Sequence, residues 1–257
     1  MSQYINRNQK LTNREKLILT GLFLAKFDRD GLEALGFNSF SEAFNTIAFS
    51  LNAQPASIKN YRDEFDPYFP NARSGWHKRS MRSNCQNIFD IYCKLNKKDF
   101  VEILRLSISE LGELESIEDQ LANYSQNTFA KRLITGQAAE HYFERNYQKE
   151  TYFQNCTLTN TTKWGCGFDF KIDILRKPFI AVEVKGLANK AGNIQLTAKE
   201  YQVARLLKNR FFLYIVHNFK EYPYHTVYKN PLNSKLNFSS SEVTNIQINW
   251  NANIGSE

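Results

Sequence analysis

Two short runs of alternating residues, joined by a three-residue connection, constrain this chain more than any other feature in it. They lie in GFDFKIDILRKPFIAVEVKG, residues 167–186. Alternate residues of a β-strand point to the same face. Asp169, Lys171 and Asp173 therefore share a face opposite Phe168, Phe170, Ile172 and Ile174, and Glu183 and Lys185 share one opposite Val182 and Val184. Strands are expected over residues 168–175 and 179–185. The connection 176–178, which ends in Pro178, is short enough to make them antiparallel neighbours, so that their acidic residues converge.

The surrounding segments supply the rest of an α/β (α+β) unit. Residues 136–147 (GQAAEHYFERNY) read as a helix with Ala139, Phe143 and Tyr147 on one face and Glu140 beside them. Residues 197–207 (TAKEYQVARLL) read as a second helix, with Thr197 as N-cap and Glu200 in the capping-box position. A strand is expected at residues 211–216, and Thr244, Ile246, Ile248 and Trp250 alternate as a terminal strand. Helix, hairpin, helix and strand in that order give a mixed sheet flanked by helices. No internal repeat interrupts the pattern.

The N-terminal half is helical in period. Thr12-Asn13-Arg14-Glu15 is a capping box, followed by Leu17, Ile18, Gly21, Leu22 and Ala25 at helical intervals. A second helix is expected from Ser41, with Phe44, Ile47, Ala48 and Leu51 on one face. A third starts near Pro55, with Ser57, Lys59, Asn60 and Arg62 outward and Ile58 and Tyr61 inward. Two helices joined through residues 51–54 have the outline of a helix-turn-helix. Residues 71–89 contain no acid, and Arg73, Lys78, Arg79 and Arg82 cluster there around Trp76 and His77. In a DNA reader such a loop holds phosphates while the preceding helix reads bases. A small helical bundle with a solvated basic loop produces the same pattern; the acid-free stretch favours DNA.

Residues 99–119 then carry seven acids against a single arginine, with Phe100, Ile103, Leu104, Ile108 and Leu111 at helical spacing, and read as a solvated amphipathic helix. The polar stretch 123–128 reads as a linker. The expected division is therefore a helical DNA-binding domain over 1–122 and an α/β domain over 123–257.

Composition narrows the partners. The chain has 257 residues, 42% of them hydrophobic, and a net charge of +7, which favours a polyanion such as double-stranded DNA. No apolar run approaches a membrane span, and MSQYINRNQKLTNREK lacks the apolar centre of a signal peptide, so a cytoplasmic protein with no membrane partner is expected. Cys85, Cys93, Cys156 and Cys166 are too widely spaced for a zinc knuckle and read as reduced structural thiols.

Converging carboxylates repel, and at least one holds its proton unless a cation lies between them. Hard oxygen donors suit Mg²⁺, and a nearby lysine stabilises developing negative charge. The same E-x-K spacing also arises on solvated strands with a cross-strand ion pair. Gly165, Gly167 and Gly186 flank the runs and allow sharp turns or close approach.

The motif D-(x)n-E-V-K-G resembles the PD-(D/E)XK nuclease superfamily. More narrowly, ITGQAAEHYFERNY, GCGFDFKI, FIAVEVKG, IQLTAKEYQVA and FFLYIVHNF, in that order over residues 134–218, resemble the restriction-endonuclease-like domain of the NO VEIN C-terminal type. That resemblance implies Asp169 and Glu183 as metal-binding acids and Lys185 as the catalytic lysine, with Glu140 as the helix acid that completes or supports the site. Asp173, on the same face further along, competes with Asp169. Gln137 stands where a Gly-Glu pair is usual, which loosens the assignment of Glu140, and the role of Gln195 is left open. LNAQPASIKNYRDEFDPYF resembles small helical modules upstream of some prokaryotic nuclease domains. The implied activity is that of a Mg²⁺-dependent type II restriction endonuclease, acting as a homodimer or by two sequential nicks. The alternatives are a non-catalytic DNA-binding protein that keeps the fold, or a structure-specific repair or recombination nuclease.

Overall fold

In a computed structural model the described residues are 11–71, 73, 75, 79–109 and 126–240. Trp76, His77, Lys78, the expected strand through Thr244 and Trp250, residues 110–119 of the acidic segment and residues 123–125 of the expected linker lie outside them.

Helix α1 (Asn13–Ala34) opens with the expected capping box. The Thr12 hydroxyl accepts the Glu15 N–H, and the Glu15 carboxylate accepts the Thr12 N–H at 2.8 Å. α2 (Phe40–Ser50) is capped by Ser39, whose Oγ accepts the Glu42 N–H, and α3 (Pro55–Phe65) begins on a proline that needs no N–H partner. α4 (Ser83–Tyr92) and α5 (Lys97–Ser109) follow. Ile18, Leu22, Phe23, Ile47, Ile58, Phe65, Phe100 and Leu104 form their common core.

Arg62 does not point outward as expected. Its residue is only 8% exposed, its guanidinium lies over the Phe40 and Phe44 rings, and it pairs with Asp63 at 2.8 Å. Positions 58, 61, 62 and 65 form one face of a 3.6-residue period, so residue 62 turns inward with Ile58 and Tyr61. The basic stretch is also drawn toward acids of the helical unit. Arg73 binds buried Asp66 at 2.6 Å and reaches Asp28 at a kink in α1, while Arg82 donates from Nε to buried Glu64 at 2.8 Å.

α6 (Gln126–Asn146) begins ten residues before the expected start, and residues 126–128 of the expected linker are its first turn. Ile134 packs into the helical core, whereas Ala138, Ala139 and Phe143 pack into the core under the sheet. One helix thus serves both halves, and tertiary packing carries it back past the helix-weakening Gly136. Phe49 of α2 meets Tyr142 of α6 edge-on, and Asn45 donates to the carbonyls of Phe219 and Glu221 at 2.7 and 2.8 Å.

The sheet has five strands in the order β1 (Thr157–Asn160), β2 (Phe170–Asp173), β3 (Ile180–Gly186), β4 (Phe211–His217) and β5 (Tyr224–Lys229). β2 and β3 are antiparallel neighbours, as expected, and β3 runs parallel to β4 through the crossover helix α7 (Ala198–Leu207). β1 and β5 are antiparallel additions at the two edges, absent from the sequence reading. α6 covers the face carrying Phe170, Ile172, Val182, Val184 and Tyr214, and α7 packs beside Ala181 and Phe211 on the other. Phe168 packs with the α7 side and not with Phe170, because β2 starts only at Phe170 and the chain turns just before it. Among the described residues no helix is long and apolar enough to cross a membrane.

Candidate active site

The register of the β2–β3 pair brings the two acids together. Phe170, the first residue of β2, lies opposite Val182, so Asp169 just before it and Glu183 just after Val182 are brought near each other. The Asp169 N–H donates to the carbonyl of Val182, the residue already opposite Phe170, at 3.1 Å, so the ladder ends at Asp169. Its carboxylate Oδ2 accepts the Val184 N–H at 2.8 Å, where β2 has no backbone acceptor in register.

Two glycines make this geometry accessible. Gly167 has φ +87°, and a Cβ there would stand 2.9 Å from Val203 Cγ2, so the 165–167 turn can lie against α7 only with glycine at this position. A Cβ on Gly186 would stand 2.9 Å from the Thr135 carbonyl oxygen and 3.1 Å from Ala139 Cβ. α6 therefore crosses the end of β3 in direct backbone contact, which sets Glu140 beside the acids.

Glu183 is 3% exposed, flanked by the buried Val182 and Val184 of β3. Lys185, two residues on and on the same face, sets its Nζ 2.6 Å from Glu183 Oε1 and 3.0 Å from Glu200 Oε2. Burial, and then the charge of Asp169, push the Glu183 carboxyl upward against the pull of Lys185. Burial likewise raises Asp169, opposed by the Val184 N–H and Lys185. Burial lowers Lys185, but contact with Glu183 and Glu200 outweighs it, so the ammonium is held charged. Glu140 is pushed up to about 7 by burial, then by Asp169 and Glu144, with Lys185 opposing.

A cleft opens over this group, lined by Thr162, Gly165, Asp169, Glu183, Lys199 and Glu200 among others. Asp173 is outside the group: it pairs with Lys171 at 2.7 Å, and four residues of strand rise put it about 13 Å along β2 from Asp169. Gln195 is exposed on the connection between β3 and α7. Glu200 was legible only as a capping residue. That it faces Lys185 depends on the β3–α7–β4 crossover, which no local spacing encodes.

Of the residues expected to read DNA, Lys59 and Asn60 are exposed on α3, Ser57 is half-buried and Arg79 is exposed. Arg62, Arg73 and Arg82 make the ion pairs described above.

Among the described residues, no group of three or more His, Cys, Asp or Glu side chains is disposed to hold a metal ion. The paired carboxylates Asp169 and Glu183 nonetheless fit a hard divalent cation such as Mg²⁺, which takes one or two protein carboxylates and fills its remaining positions with water and substrate phosphate. Burial pushes both carboxyls upward in spite of Lys185, and a bound divalent cation offsets that cost.

No curated protein and no solved structure matches the chain. Residues 137–229 match the family model described as Protein NO VEIN, C-terminal, a stretch that runs from within α6 to the end of β5 and contains Glu140, Asp169, Glu183, Lys185 and Glu200.

Proposed function

We propose that the chain is a divalent-metal-dependent endonuclease of the PD-(D/E)XK type that hydrolyses phosphodiesters of double-stranded DNA, as a type II restriction enzyme does. The observation that carries this reading is that Asp169 and Glu183 line one open cleft, with the Lys185 ammonium in contact with Glu183. The NO VEIN match over the same residues supports it.

Asp169 and Glu183 would hold Mg²⁺, which supplies Lewis-acid polarisation of the phosphate and a more acidic water. Lys185, kept protonated by its acidic neighbours, offers its Nζ hydrogens to the negative charge that develops on phosphate oxygens. Glu140, titrating near neutral pH, is suited to take up or return a proton at its carboxylate oxygens. In the helical unit, Lys59 and Asn60 on α3 and Arg79 after it are the exposed groups offered to DNA, and Arg62, Arg73 and Arg82 hold the unit together. The net charge of +7 suits a polyanionic duplex.

The test is digestion of plasmid DNA with Mg²⁺ and with EDTA, followed by sequencing of the product ends. Metal-dependent cutting at a recurring sequence is expected. Lys185→Ala is expected to abolish cleavage while DNA affinity stays within about twofold of wild type, because Lys185 acts on the developing charge. No cleavage with Mg²⁺ or Mn²⁺ would sink the nuclease reading; ends scattered at random would remove the restriction reading and keep the nuclease.

A further inference from the structure

The Glu200 carboxylate is tied on two sides. Its Oε2 accepts the Thr197 N–H at 3.0 Å, closing the capping box of α7, and the same oxygen lies 3.0 Å from Lys185 Nζ. Capping alone calls for nothing beyond the first of these contacts. Here the capping carboxylate is 16% exposed and turned into the cleft beside Asp169 and Glu183. Lys185 thereby bridges two acids, with Glu183 Oε1 at 2.6 Å and Glu200 Oε2 at 3.0 Å.

We infer that Glu200 is the counter-charge that lets Lys185 release Glu183, and so lets Glu183 bind a divalent cation. The inference rests on the metal-dependent reading above. An ammonium in contact with Glu183 Oε1 competes with a cation for that carboxylate. Releasing the ammonium with no other partner is unfavourable, since the Lys185 side chain is only 23% exposed and its charge would be left uncompensated in a partly buried setting. Glu200 removes that obstacle, because it stays in contact with the ammonium after Glu183 lets go. Glu200 is thus a positioning residue that acts through Lys185.

The experiment is calorimetric titration of the full chain with Mg²⁺ in the absence of DNA, as a double-mutant cycle of Glu200→Gln and Lys185→Met. Glutamine keeps an acceptor for the Thr197 N–H, and the melting temperature verifies that the cap holds. If that variant melts below the assay temperature, Glu200→Asp, which keeps the charge but withdraws it from Lys185, replaces it with the same expected direction. Glu200→Gln is expected to weaken Mg²⁺ binding about tenfold in the wild-type background and less than about twofold in Lys185→Met, the non-additivity of residues that act through one another. Equal weakening in both backgrounds, or none in either, overturns the inference. Mg²⁺ binding that is lost in Asp169→Asn but untouched by Glu200→Gln overturns it alone. Absence of Mg²⁺ binding by the wild type overturns it together with the metal-dependent reading.

Discussion

Asp169 and Asp173 are chemically identical and bracket the same strand, yet only Asp169 shares a cleft with Glu183. Asp169 is held there by the Val184 N–H at 2.8 Å, and Asp173 is neutralised by Lys171 at 2.7 Å. Asp169→Asn is expected to lower the rate of plasmid cleavage by at least about a hundredfold, the scale of losing a group that stabilises the transition state. Asp173→Asn is expected to stay within about threefold, since a half-exposed ion pair contributes little. Equal loss in both would mean that the site is centred elsewhere on β2. Period-two alternation made Asp169, Glu183 and Lys185 legible as one face before any coordinates. It could not choose between the two aspartates, because the choice depends on register, and register depends on where the 165–167 turn ends the ladder. Glu200 was hidden for a related reason: a T-x-x-E pattern reports a helix start and nothing about what the helix start faces.

At the scale of elements, the least legible parts are those stabilised by contact and not by local pattern. β1 and β5 are half-exposed edge strands without a clean apolar alternation, and they exist because β2 and β4 present unpaired edges to them. α6 extends back to Gln126 because Ile134 has a place in the helical core. The α6–β3 crossing is the element contact on which the site most depends, and Gly186 is its hinge point. Gly186→Ala puts a methyl group about where the Thr135 carbonyl oxygen and Ala139 already stand, and overpacking of this kind costs about 1–3 kcal/mol. Urea unfolding is expected to show that loss. Cleavage is expected to fall further than the loss of folded protein explains, because moving α6 also moves Glu140 away from Asp169 and Lys185. A variant as stable as wild type would show that α6 can shift freely over β3.

The whole molecule joins two units with opposite responses to pH. α6 runs through both cores and Asn45 ties α2 to the 218–221 turn, so each unit's gain or loss reaches the other. In the helical unit, burial alone would raise the Glu64 carboxyl, but the hydrogen bonds and charge of Arg82 outweigh it and hold Glu64 below its ordinary 4.5. The folded state therefore binds that proton less tightly than the unfolded chain. The stability so gained is complete above pH 4.5 and is lost as pH falls through the lower folded value. At the site the sign reverses. Glu140 is raised to about 7, so the folded state binds its proton more tightly, and the associated stability is present below 4.5 and lost as pH rises toward 7. Melting curves in EDTA across pH 3 to 8 separate the two. Glu64→Gln is expected to lower the melting temperature at pH 7, and the gap from wild type is expected to narrow as pH falls below 4.5. Glu140→Gln is expected to raise it at pH 8 and to match wild type near pH 4, the direction of a site that trades stability for chemistry. A Glu140→Gln variant less stable than wild type at pH 8 would mean that its carboxylate holds the fold, and would remove it from the proton-handling role proposed for it.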